Sequence, residues 1–232
     1  MVISVASVNR INAQQTLFID KQEYSCASAF NIAVRTKKIN NVVAMQGTVI
    51  WDTSVVKYNG ISYGSSAIAL DATNMNLSST ANGYLTFLWF DNNLQGRASI
   101  DSASLFTINF TTNGTGKGTG LVQFANTPTP MEIDTLWAGN IPVNNTAAVF
   151  TDGYVVTPYF YNFTGAGNWT VASNWKDNMV PPAVLPACSE IIIGPASINE
   201  CILDIPQTIS TGAKITVIAG KRLTIAGNLI LQ

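Results

Sequence analysis

Residues 43–58 read VAMQGTVIWDTSVVKY, and the first nine of them set the fold class. Val43, Met45, Val49 and Trp51 fall on one parity, with Gly47 in the same row, while Ala44, Gln46, Thr48 and Ile50 fall on the other. A period of two is the signature of a strand with one face in a core. A slip of one residue would turn the whole apolar row outward, so the pattern also fixes the register. Asp52 reads as a cap at the strand end, and 52–58 as a single helical turn or short 3-10 piece.

The same texture extends along the chain. Strands are expected near 16–20, 29–35, 67–72, 84–90, 105–111, 118–124, 132–137 and 148–157. They are rich in Val, Ile, Thr and aromatic residues and are bounded by Gly, Asn, Asp and Pro. Phe106, Ile108 and Phe110 share a face opposite Thr107 and Asn109. The run 84–90, YLTFLWF, is apolar on both faces, with its outer face under a partner, a loop or nothing, a covering loop being the commoner case. Trp51 and Trp89 read as core, and no stretch sustains a helical period over three turns. Many short strands separated by regular turns imply a β-sandwich or barrel.

A boundary is expected near 158–162, because the texture changes there. Asn168-Trp169 and Asn174-Trp175 sit in a Gly-, Asn- and Ser-rich stretch. Short strands follow at 190–194, 200–205, 215–219, 222–226 and 229–231, and Ile218-Ala219-Gly220 recurs as Ile225-Ala226-Gly227. Glycine-punctuated short strands at near-constant spacing suggest about two coils of a β-solenoid. The expected organisation is an N-terminal extension over 1–15, a sandwich over 16–157 and a solenoid-like segment over 158–232.

Composition narrows the function. Of 232 residues, 47% are hydrophobic and only 11% charged. The core is therefore ample, and the surface is polar through Thr, Asn, Ser and Gly, as in secreted β-proteins. With a net charge of −1 and no basic stripe, nucleic acid is not expected as a partner. No run is long and apolar enough for a membrane span. Val2–Val8 is a short apolar run followed, not preceded, by a basic residue, so the chain reads as a mature or partial product with no visible export signal.

The chain has no histidine, which removes Ser-His-Asp and Cys-His catalysis and the usual zinc sites. Asp52, Asp71, Asp91, Asp101, Glu132 and Asp134 are spread out, so the facing carboxylates of a glycoside hydrolase are not expected. Gly114, Gly116, Gly118 and Gly120 read as a hairpin, not a phosphate loop. Asp91-Asn92-Asn93 reads as an Asx turn in preference to a calcium loop. No metal or cofactor is expected. Of the three cysteines, Cys188 and Cys201 flank a strand and are a candidate disulfide, whereas Cys26 reads as a lone buried thiol. Trp137, Trp169 and Trp175 lie in or near loops and are candidate glycan-stacking residues; the alternative for Trp169 and Trp175 is a buried brace where the two segments meet.

Residues 16–157 resemble the cohesin family. The resemblance rests on VAMQGTVIWDTSVVKY with its Trp51, Asp52, Val55 and Val56, on YLTFLWF followed by an acidic turn and LFTINF at 105–110, and on FANTPTPMEI at 124–133, which is similar to the version found in secreted proteins of the Bacteroidetes. Thr53 departs from the Pro that many members carry. Residues 163–232 look like the Trp- and Asn-rich entry to a β-solenoid segment of secreted multidomain bacterial surface proteins. The resemblance implies a jelly-roll sandwich similar in fold to carbohydrate-binding modules, located outside the cell or on its surface. It also implies a non-catalytic binding module that meets its partner through one sheet face. On this chain that face carries Ala44, Gln46, Thr48 and Ile50, with Gln46 where members often place an acid. The implied partner is a protein module such as a dockerin, or a polysaccharide. The runner-up is a subunit that self-assembles into a homo-polymer by donating residues 1–8 as a strand or by solenoid stacking. A carbohydrate hydrolase ranks last.

Overall fold

The computed structural model describes residues 14–22, 29–64, 66–112, 117–137, 141–196 and 199–232. In chain order the first strands are β1 (Thr16–Ile19), β2 (Lys21–Gln22), β3 (Ala29–Lys37), β4 (Val42–Trp51), β5 (Val56–Tyr63), β6 (Met75–Asn76), β7 (Tyr84–Phe90), β8 (Ser104–Thr112), β9 (Lys117–Ala125), β10 (Glu132–Trp137), β11 (Ile141–Asn144), β12 (Val149–Thr151) and β13 (Gly153–Phe163). They form a two-sheet sandwich, the jelly-roll class expected. One sheet runs β12-β1-β3-β8-β5; the other runs β11-β10-β4-β9-β13, with β7 on the far edge of β4 and β6 beyond it.

The core lies where the inward parities meet. Ile32, Val34, Phe106, Ile108 and Phe110 of one sheet are buried against Met45, Val49, Trp51, Leu85, Phe87 and Trp89 of the other. Aromatic pairs bridge the layers: Phe87 meets Phe106 at 5.5 Å between ring centroids, and Trp51 meets Phe110 edge-on at 5.4 Å. Each large apolar side chain buried this way contributes about 1.5–3 kcal/mol.

Two local expectations are corrected. Residues 67–72 form no strand: Asp71 instead caps a 3-10 turn at Ala72–Asn74, its carboxylate accepting from the Thr73 amide. The helical turn expected at 52–58 is only a tight turn, because Asp52 accepts from Ser54 and β5 begins at Val56. Asp91, by contrast, makes the expected polar turn, accepting from the amides of Asn93, Gln95 and Gly96.

Residues 158–162 lie inside β13. Its first part pairs antiparallel with β9, and its last four residues pair in parallel with β16 (Glu190–Ile193). The remaining strands, β14 (Gly167–Asn168), β15 (Val184–Leu185), β17 (Glu200–Leu203), β18 (Gln207–Ile209), β19 (Lys214–Val217), β20 (Arg222–Ile225) and β21 (Leu229–Leu231), complete three all-parallel ladders: β13-β16-β19, β14-β17-β20 and β15-β18-β21. The chain visits the ladders in turn and returns to the first, so successive passes lie one above another. A second core fills the space they share, built from Phe163, Trp169, Trp175, Leu185, Ile191, Ile193, Cys201, Leu203 and Ile209.

Candidate functional site

The outward parity of β4 places Ala44, Gln46 and Ile50 half-buried on an open sheet face. Cross-strand register extends each into a row. Phe90, Ala44, Asp134 and Asn144 form one row across β7, β4, β10 and β11, and Leu88, Gln46 and Glu132 form the next. Tyr84, Ile50 and Gln123 form a row at the other end of β4. The inward neighbours Phe87 and Trp89 are buried, whereas Leu88 is 51% and Phe90 56% exposed. The apolar outer side of β7 is therefore uncovered, not lying under a loop.

The face has two chemistries side by side. Leu88 and Phe90 make an apolar strip, and Glu132 and Asp134 make an acidic one. Gln46 lies between them and donates from Nε2 to Glu132 Oε2 at 2.9 Å. Leu88, Gln46, Glu132 and Asp134 line a shallow depression of about 100 Å³ with Ala44 and Met45. Among the described residues neither carboxylate has an ion-pair partner. Such a face offers apolar contact and hydrogen-bond acceptors to a partner rich in donors or cations.

Its borders are fixed by loops. Asp91, buried at the end of β7, is contacted by Arg97 at 3.3 Å as well as by the three amides of its turn. Burial raises its carboxyl pKa, yet the amides of Asn93 and Gln95 and the Arg97 charge hold it below the usual range. The 126–131 loop closes the other side. β9 and β10 pair with the same edge of β4, at 48–51 and 42–46, and the chain leaves the sheet between them. Thr48 holds this loop: its hydroxyl donates to the Thr129 carbonyl at 2.7 Å and accepts from the Thr129 amide at 3.0 Å. On the inner side Met131 fills the space a Gly47 Cβ would occupy, its Sδ overlapping that point.

Several expected site residues move out of the site. Thr48 is fully buried with its hydroxyl engaged, so it is a loop anchor and presents nothing to a partner. Trp169 and Trp175 are 0% and 2% exposed and pack edge-on at 4.7 Å, so neither can stack on a sugar. Both rings lie in the apolar interior of the ladders, beside Phe163. The side chain of Trp137 and residues 1–8 lie outside the described residues, as does Cys26. The Cys188–Cys201 disulfide does not form: Cys201 is a free buried thiol, and Cys188 is disulfide-bonded elsewhere. Cys201 points into the ladder core, which removes it from reach. Gln46 and Ile50 remain on the face.

The acidic and apolar rows were not singled out from sequence, although alternation in EIDTLW at 132–137 separates Glu132 and Asp134 from the buried Ile133. A larger open cavity of about 670 Å³, lined by Lys21, Lys37, Lys38, Asp20 and Asp101 among others, was also missed. Its lining comes from distant segments that only β-pairing gathers. Among the described residues no cluster of acids or thiols is arranged to hold a metal ion, and no helix is long and apolar enough to cross a membrane.

The family model of the cohesin domain matches residues 16–132. Among solved structures the chain is similar to the seventh ScaB type I cohesin from Pseudobacteroides cellulosolvens, with 14% identity and a TM-score of 0.51 over 63% of this chain and 93% of that one. It is also similar to CaCohA2 from Clostridium acetobutylicum, with 14% identity and a TM-score of 0.49 over 63% and 92%. The third cohesin of ScaC from Acetivibrio cellulolyticus, solved in complex with the ScaB dockerin, has 17% identity and a TM-score of 0.49 over 62% and 99%. The likeness to the Pseudobacteroides module shows the fold alone. No curated protein matches.

Proposed function

Because the chain belongs to the cohesin family, and is with that family a non-catalytic protein-interaction module, we propose that it captures a dockerin-type protein partner on the outer face of β7, β4 and β10. One observation carries this reading. Leu88 and Phe90 lie exposed beside Gln46, Glu132 and Asp134 on the sheet face that family resemblance assigns to the partner. Exposed apolar side chains next to fixed acceptors are what a protein interface needs at its centre and rim. The glycan alternative has lost Trp169 and Trp175 as stacking platforms. The module acts outside the cell, a reading supported by its low charge and by a disulfide at Cys188, since such bonds persist in oxidising compartments. The division is a sandwich up to about 157 and a β-solenoid beyond it, supported by the two separate cores.

Calorimetric titration of the full chain with a panel of dockerin modules tests the proposal. Saturable binding that is lost in Leu88→Glu, with an unchanged far-ultraviolet spectrum, is the expected result. No binding across the panel, or binding indifferent to Leu88→Glu, overturns it.

A further inference from the structure

Four of the chain's 12 basic residues, Lys21, Arg35, Lys37 and Lys38, gather at the outer face of β12, β1 and β3, on the sheet that does not carry β4. Thr16 and Phe18 are the outward residues of β1, alternating with buried Leu17 and Ile19. Register sets Thr16 between Val149 and Lys37, and Phe18 between Thr151 and Arg35. Thr16, Phe18, Val149 and Thr151 floor the open cavity of about 670 Å³. The turn at 101–102 fixes its wall. The Lys38 amide donates to Asp101 Oδ1 at 2.7 Å, the Ser102 amide to the Thr36 carbonyl at 2.7 Å, and Arg35 Nη1 to the Ser102 carbonyl at 3.0 Å.

The charges of this groove are not balanced. Both carboxylates of its lining are already engaged: Asp20 accepts from Arg35 Nε through both oxygens, at 2.8 and 3.0 Å, and Asp101 accepts from the Lys38 amide. Lys21, Lys37 and Lys38 are exposed and, among the described residues, form no ion pair. With Arg35 neutralising Asp20, three ammonium groups face the single charge of Asp101. The groove therefore attracts anions, whereas the face of β7, β4 and β10 is acidic and apolar. The cations also stand apart. Lys37 neighbours Thr16, and Lys21 follows Thr16 by five positions, roughly 15 Å of extended chain, with its Nζ 5.6 Å from the centre of the Tyr154 ring. One small anion does not span that distance, so the groove suits carboxylates carried on several linked units.

We propose that this groove binds a short acidic oligosaccharide, a run of linked sugar units that carry carboxylates. The lysines meet the carboxylates, the hydroxyls of Thr151 and Ser102 and the amide of Gln14 meet sugar hydroxyls, and half-buried Phe18 supplies apolar contact. The volume lies within the range of about 300–1,000 Å³ usual for small-ligand sites. An acidic peptide fits less well. β1 is paired on both sides, by β12 and β3, so the floor has no free strand edge for a peptide to extend, and recognition runs through side chains. The proposal is independent of the dockerin reading, because the two faces belong to different sheets.

The probe is tetragalacturonate, titrated by calorimetry into the full chain, with its methyl ester as the uncharged twin and hexaglutamate as the acidic peptide. Tetragalacturonate binds saturably, and its affinity falls about tenfold or more in Lys37→Gln/Lys38→Gln and falls again at high salt. Lys21→Gln, at the other end of the groove, weakens binding separately. The methyl ester and hexaglutamate both bind more weakly than tetragalacturonate. All three lysines are exposed, so the variants keep the far-ultraviolet spectrum and melting temperature of the natural chain. Leu88→Glu leaves the binding unchanged, which separates this site from the dockerin face. No saturable binding of tetragalacturonate overturns the proposal, as does equal binding by the lysine variants or equal binding of the ester. Tighter binding of hexaglutamate assigns the groove to an acidic peptide and also overturns it.

Discussion

Gln46 Nε2 donates to Glu132 Oε2 at 2.9 Å, tying the central strand of the open face to its acidic neighbour. The bond holds Glu132 in the row that ends on exposed Leu88. Reversing the charge of the strip should therefore act on binding and not on folding. In Glu132→Lys/Asp134→Lys, partner affinity falls about 100-fold or more, with the loss growing at low salt, where opposed charges are least screened. Leu88→Ala costs about tenfold, the contribution of one apolar anchor. Titration calorimetry at two ionic strengths, with thermal melts as the folding control, measures both. A melt lowered in step with affinity would place these residues in the fold instead.

Gly47 and Met131 are coupled by space. A methyl group on Gly47 would overlap the Met131 sulfur, and Phe87 closes the same gap at 3.1 Å. Gly47→Ala should destabilise the chain by about 1–3 kcal/mol through overpacking. Met131→Ala makes room, so the double variant is more stable than the sum of the single losses by about 0.5–3 kcal/mol. A urea-denaturation cycle measures the coupling. Strict additivity would show that the 126–131 loop moves aside freely.

Alternation made most of the sandwich legible. The parity of 43–51 and of Phe106, Ile108 and Phe110 placed the right side chains inside, because one face of each strand packs on a single apolar layer. Short-range patterns failed where long-range pairing decides. β5 ends in NGISY, with no alternation, and is held as a strand by β8. β14 and β15 are two residues each and exist through parallel partners far along the chain. On β4 alternation put Gln46 and Ile50 on the outward parity, where both are half-buried. It misassigned Thr48, whose parity is outward, because parity does not reveal that the 126–131 loop folds back over it. Trp169 and Trp175 sit in polar, glycine-rich sequence, and only the winding of the ladders puts them inside.

Cys201 supplies a pH test. Burial, reinforced by the Asp204 charge, pushes its thiol from the ordinary value near 9 up to about 12. The unfolded chain then loses this proton near 9 while the folded chain keeps it. The contribution is complete below about pH 9 and declines as pH rises towards 12, by up to about 1.4 kcal/mol per pH unit. Urea midpoints measured from pH 8 to 10.5 should fall more steeply for the natural chain than for Cys201→Ala, whose difference isolates this group from the tyrosines. Thiol labelling gives an independent check. Without reductant, Cys201 is alkylated only after denaturation, and Cys188 is not alkylated until the protein is reduced. Labelling of native Cys201 within minutes would contradict its burial.

The two buried tryptophans are not equivalent, and this separates a structural brace from any surface role. Trp175 donates from Nε1 to the Trp169 carbonyl at 2.6 Å, inside the ladder core and edge-on to both Phe163 and Trp169. The Nε1–H of Trp169 is buried and has no acceptor among the described residues. Both Trp→Phe changes remove the same volume, but their polar consequences have opposite signs. Trp175→Phe strands a buried carbonyl oxygen, a loss of about 1–3 kcal/mol beyond the packing term, whereas Trp169→Phe removes a donor that had no partner. Trp175→Phe is therefore the more destabilising of the two in urea, and either change to Ala costs about 3–5 kcal/mol. Equal losses for the two Phe variants would mean that the indole–carbonyl bond adds nothing to the packing of the rings.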